Sequence, residues 1–169
     1  MDGDAGAAER AIPDLVGALE DAKGFHQFLW SIRLTVARAE TARLAGRYDE
    51  AIAFAHTALA ETSRFGRRKY DCLVRIPLAR ALLSTGRAEE AADVAARAAL
   101  EAERLGHLPS RWPALATLAD VKAALGDDDA AAEAHGAAVR SIEEFADGLS
   151  EARRAAFMAR PEVVVARTS

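Results

Sequence analysis

Small and apolar residues recur along this chain at the alternating three- and four-residue spacing of a single helix face. Ala51, Ala55, Ala58, Thr62 and Phe65 form one such stripe, and Ala91, Ala95, Ala98, Ala102 and Leu105 form a second, forty residues later. The same interval separates Gly46, Gly86 and Gly126, each of which follows an Ala-rich run. The alanines around these glycines keep register: Ala39, Ala79 and Ala119 before them, Ala51, Ala91 and Ala131 after, and Ala58, Ala98 and Ala138 further on. Phe65, Leu105 and Phe145 also align, and Gly66 and Gly106 follow the first two, where a helix needs a left-handed terminating residue.

Each unit therefore reads as a helix, a tight glycine turn, a second helix and a glycine-containing connection. First helices are expected at 28–44, 69–84 and 112–125, and second helices at 48–65, 88–105 and 128–146. The repeats become 28–66, 69–106 and 112–147 of a single domain spanning 1–169. Narrow stripes of small residues let neighbouring helix axes approach closely, and the paired Ala of each first helix meets that stripe. One period upstream, Gly6, Ala11 and Ala18 occupy the same columns, so 7–22 is expected to be a second helix lacking its partner and exposing its stripe. Pro13 conflicts with a regular helix there unless it lies in the first turn, and Pro77 is expected to bend the helix at 69–84. A capping helix is expected at 151–158, followed by an extended or frayed tail at 159–169.

Composition agrees with an all-α fold. Half of the residues are apolar, but Ala dominates and β-branched runs are nearly absent, which favours packed helices over sheet. The formal net charge of -4 is spread over both signs, leaving no global footprint for nucleic acid or an acidic membrane surface. Cys72 is the only cysteine, so no intrachain disulfide or Cys-cluster metal site is expected, and a reducing cytoplasm suits it. The first eight residues do not read as a signal peptide, and no stretch is apolar for long enough to span a bilayer.

The small, Gly, Ala, Ala columns, clearest in LAGRYDEAIAFAHTAL and LSTGRAEEAADVAARAAL, resemble the tetratricopeptide repeat family over roughly residues 28–146. The unit is about six residues longer than that family's usual period, and its Trp, Tyr and Pro columns are mostly absent here. The long unit, and the closing SEARRAAFMARPEVV, are similar to the C-terminal regions of large bacterial transcription activators and of cyclase or ATPase regulators. The resemblance implies a right-handed superhelical α-solenoid of about three hairpins, whose concave wall is built by the first helices. Facing that wall would be Arg33, Val36, Glu40 and Arg43 from the first repeat, Ile76 and Arg80 from the second and Asp120 from the third, with Leu44, Leu73, Leu83, Ala116 and Ala123 beside them.

In such a groove Arg33, Arg43 and Arg80 could clamp a peptide carboxylate in bidentate fashion, while Val36 and Ile76 would meet its apolar side chains. The competing reading is an internal lattice in which Glu40 and Asp120 pair with these arginines. Trp30 and Trp112 are expected either to close the core between repeats or to anchor a partner.

No catalytic motif is present, and no cofactor is implied. The histidines His26, His56, His107 and His135 are scattered, and His135 alone falls in a stripe, as a core residue or a ligand contact. Cys72 reads as a packing residue, with a dipole-lowered pKa as the alternative. Glu89, Glu90 and Asp127 to Asp129 open helices, where negative charge is favoured, and Glu143 with Glu144 reads as a solvated face. Arg64, Arg67, Arg68 and Lys69 form the one basic run, a solvated loop or a phosphate contact; without aromatic interleaving it does not suggest nucleic-acid binding. The expected function is a non-catalytic, cytoplasmic, bacterial-type regulatory scaffold that binds a protein or peptide segment, a fragment or descendant of a larger regulator, with homodimerisation through 7–22. The alternative is a sensor that closes around a small-molecule or peptide effector in the same groove.

Overall fold

A computed structural model describes residues 5–21 and 25–168, and within them every regular element is an α-helix. In chain order these are α1 (Ala5–Asp21), α2 (Phe25–Leu44), α3 (Tyr48–Arg64), α4 (Arg68–Ser84), α5 (Ala88–Arg104), α6 (Leu108–Ala124), α7 (Asp128–Asp147), α8 (Glu151–Met158) and α9 (Pro161–Thr168). Residues 1–4, 22 and 169, at the edges of the expected domain, half repeat and tail, lie outside the described residues, as does the side chain of His26.

Helices α3 to α6 are each 17 residues long and are joined by one turn geometry. At Gly86 the backbone takes φ 77, a left-handed conformation that L side chains rarely adopt. This lets Arg87 N–H donate to Leu82 C=O at 3.0 Å and Gly86 N–H to Leu83 C=O at 3.0 Å, the paired bonds of a Schellman ending. The same 6→1 bond joins Arg47 to Ala42, Arg67 to Thr62, His107 to Ala102 and Asp127 to Lys122. Turns within a unit and turns between units are thus alike, with Gly46, Gly66, Gly86, Gly106 and Gly126 spaced at half the forty-residue period.

Helices α1 to α7 pack mainly on their chain neighbours, whereas α9 folds back past α8 onto α7. In addition α2 packs on α4 and α4 on α6, whereas no comparable contact joins α3 to α5 or α5 to α7. The packing is therefore closer on the α2, α4, α6 side. Buried alanines make that approach possible: Ala39, Ala42 and Ala81 meet Ala51, Ala55, Ala58 and Ala91 in one cluster with Val74, Leu78 and Val121. Acidic residues occupy the first turns of α3, α5 and α7, where they oppose the positive helix end; at α7 the Asp127 side chain also accepts from Ala130 N–H at 3.4 Å.

Four expectations need correction. The third first helix begins at Leu108, not 112, because Pro109 fits the first turn, where no intrahelical bond is lost, so Trp112 lies inside the helix instead of opening it. Gly6 lies within α1 and is not a turn glycine, and α1 runs through Pro13. Its Ala11 and Ala18 are exposed, and α1 packs chiefly on α2. The tail at 159–169 is not extended: Pro161 opens α9, whose Val163 and Ala166, three apart, are buried against Trp112, Ile142, Ala146 and Phe157.

Candidate binding groove

A groove of about 1010 Å³ runs along the closely packed side. Its walls are Glu40, Arg43 and Leu44 of α2, Arg80, Leu83 and Ser84 of α4, and Trp112, Ala116, Ala119 and Asp120 of α6. Ala8 of α1, His135 of α7 and Pro161, Glu162, Val165 and Ala166 of α9 complete the lining.

Of the wall residues expected from sequence, Glu40, Arg43, Arg80 and Asp120 share this groove, together with Leu44, Leu83 and Ala116. Five others do not line it. Ile76 is a core residue, buried against Ala98, Ala99 and Ala114, so it is not available to a ligand side chain. Val36 packs against the core cluster around Ala39 and Ala51. Arg33 lies over the Trp30 ring at 5.3 Å and the Tyr70 ring at 5.9 Å, a cation–π arrangement on the surface, with Trp30 itself 54% exposed. A step of four residues turns a side chain by about 40°, so Val36 and Ile76, four before Glu40 and Arg80, come round toward the core that adjoins the groove. Leu73 and Ala123 also lie outside the lining.

The charged groups form a graded set. Glu40 takes two hydrogen bonds from Arg43, at 2.9 Å to Nε and 2.8 Å to Nη2, and lies 3.7 Å from Arg80 Nη1. Burial opposes ionisation of Glu40, but the hydrogen bond and charge of Arg43, with the charge of Arg80, outweigh it and hold the carboxyl below its ordinary range. Arg80 donates through Nε to Thr117 Oγ1 at 3.0 Å, and Thr117 in turn donates to Pro113 C=O at 2.8 Å. Burial pushes the Arg80 guanidinium below its ordinary value, and repulsion by Arg43 adds to this against the attraction of Glu40, Asp120 and Glu162. Asp120 is raised, first by burial, against the pull of Arg80 and His135.

The internal lattice weighed from sequence is therefore present in part. Glu40 engages Arg43 firmly and Arg80 loosely, while the Asp120 carboxylate makes no hydrogen bond or ion pair among the described residues. Arg80 is left as a partly buried cation, its side chain 32% exposed, whose Nη groups have no partner nearer than Glu40 at 3.7 Å among the described residues, beside the half-exposed apolar surfaces of Leu44 and Val165.

Trp112 is buried, with the Phe157 ring edge-on at 6.3 Å, and so closes the core at the α9 end of the groove. The lining from α9, above all Glu162 and Val165, was hidden from the sequence because the segment read as a tail. Cys72 is fully buried on α4, and burial, with the charges of Asp71 and Glu101, pushes its thiol up to about 11, opposite to an activated cysteine. Among the described residues no helix is long and apolar enough to cross a membrane. No protein-family model matches the chain, and no curated protein matches it, so the likeness to tetratricopeptide repeats rests on the repeated columns.

Proposed function

We propose that this chain is a non-catalytic interaction module that binds a peptide or protein segment in the α2, α4, α6 groove. In this reading α2 to α7 are three tetratricopeptide-like hairpins of a right-handed superhelix, α1 is a half repeat, and the protein is a cytoplasmic regulatory scaffold. The observation that supports it is Arg80: a partly buried guanidinium open to the groove, half compensated by a Glu40 already committed to Arg43, and flanked by Leu44, Leu83 and Val165. A carboxylate entering there meets a guanidinium fork already oriented by Thr117 and partly shielded from water, and apolar side chains on either side of that carboxylate cover the leucines. Arg43 supports the site by holding Glu40.

Selection of a random peptide library on the intact protein tests this. Wild-type protein should enrich acidic sequences with flanking apolar residues; Arg80→Ala should lose about tenfold or more in affinity for them, the magnitude of a hydrogen bond to a charged group, while keeping the wild-type helical circular dichroism at the assay temperature. Equal binding of the same peptides by Arg80→Ala would remove the proposal. The groove's volume also lies at the upper end of small-molecule pockets, and α9 walls one end, which favours an effector sensor as the second reading. Native mass spectrometry separates the two: a small ligand retained by the wild type and lost by Arg80→Ala would favour the sensor.

A further inference from the structure

A second recess, of about 460 Å³, lies away from the groove, where the end of α3 and the following turn meet α4 and α5. Four arginines line it, Arg67, Arg68, Arg75 and Arg97, against two carboxylates, Asp71 and Glu101. Both carboxylates already have cations: Asp71 accepts from Arg75 Nε at 2.7 Å, and Glu101 pairs with Arg104 at 3.0 Å. The side chains of Arg68 and Arg97 make no hydrogen bond or ion pair among the described residues. A surplus of positive charge is thus gathered at one spot of a chain whose net charge is -4.

The repeat supplies its own control. Forty residues on, Arg68 and Arg97 are replaced by Leu108 and Ala137, and the cation there, Arg111, is met by Glu103, Glu144 and the Ser141 hydroxyl. The scaffold folds the equivalent connection without surplus charge, so packing does not require the arginines of the first one. Like charges converging on a recess repel one another unless an anion joins them. Guanidinium forks suit the tetrahedral oxygens of phosphate, and the start of α4, the positive end of that helix, lines the recess through Arg67 and Arg68. Leu100, half exposed on the rim, offers an apolar surface to whatever carries the anion.

We infer that this recess binds a phosphate dianion, free or as a phosphomonoester, between Arg68 and Arg97. The site is independent of the groove and of the function proposed for it.

Titration of the full chain at constant ionic strength, followed by the arginine Nε–H NMR signals, tests the assignment with inorganic phosphate and O-phosphoserine as probes. Both should bind saturably, and Arg68→Ala and Arg97→Ala should each weaken binding about tenfold. Tighter binding of phosphoserine assigns an esterified ligand, and equal binding assigns free phosphate. Arg140→Ala, in the Leu100 column of the next repeat, and Arg80→Ala in the groove should leave binding unchanged. Because Arg68 and Arg97 are exposed, their variants should melt with the wild type. A response that does not saturate, that survives loss of both arginines, or that Arg140→Ala diminishes equally overturns the site. So does tighter binding of a single-stranded oligonucleotide through the same arginines, which would mark a polyanion surface.

Discussion

At the scale of single residues, conformation and ionisation at a few positions make separable claims. Gly86 has open space where a Cβ would go, so its replacement is opposed by backbone strain and not by collision. Gly86→Ala should lower unfolding free energy by about 1 kcal/mol, the cost of a left-handed L-residue, and Gly86→Asn by less, both read from urea denaturation. Asp120 and Glu40 should respond to pH in opposite senses. The Asp120 carboxyl is raised in the folded protein, so its contribution is fully present below the unfolded value and is lost as pH rises through the folded one. At neutral pH its ionisation therefore opposes folding, and Asp120→Asn should match or exceed wild-type stability at pH 7. Glu40 is lowered, so its stabilisation is present above the unfolded value near 4.5 and is lost as pH falls through the folded value. Glu40→Gln should be less stable than wild type at pH 7 and converge with it in acid; in thermal melts at pH 7, a destabilised Asp120→Asn would contradict the first assignment and a stabilised Glu40→Gln the second.

At the scale of elements, α9 separates what the sequence displayed from what it concealed. The helices α2 to α7 were legible because their alanine columns recur at forty residues and all but α7 are closed by a left-handed glycine, and their ends differ from expectation by a few residues, most at α2 and α6. The forty-residue period was legible too, but its division into equal halves was not drawn from Gly66 and Gly106, although their spacing carries it. In α9, three successive valines suggest extended chain, and the opposing signals are brief: Pro161 at the first position, an acidic Glu162 beside it, and Val163 and Ala166 one turn apart. Glu40, Arg43, Arg80 and Asp120 were found because their columns face one way; Ile76 and Val36 were misplaced because groove and core adjoin on the same helix. Val163→Ala tests α9 directly. It removes two buried methyl-sized groups from the cluster around Trp112, and should cost about 2 kcal/mol and alter the tryptophan emission. An unstructured tail would show neither change.

At the scale of the whole molecule, the order of packing sets the order of opening. Because α1 to α7 lean mainly on their chain neighbours, the free energy to expose one of them depends on how many sides are covered. α4 is packed by α3, α5, α2 and α6, and its interior holds Val74, Leu78, Ala79 and Ala81 at nearly zero exposure. α1 has chiefly α2, and its Leu15 is 54% exposed. Protection against hydrogen exchange should therefore peak in α4 and its immediate partners α5 and α6, and fall toward α1. The same gradient bears on the groove, since its α2 wall is covered by α1, while its α6 wall is backed by α7 and by the Trp112 cluster to which α9 belongs. Opening of α1 would loosen the wall that carries Glu40 and Arg43 before the one that carries Asp120, so a ligand held by Arg80 and both walls should raise protection most in α2. Exchange measured by mass spectrometry on the full chain, with and without a selected peptide, checks both statements; α1 peptides as protected as those of α4 would mean that the end helix has a partner not accounted for by α2.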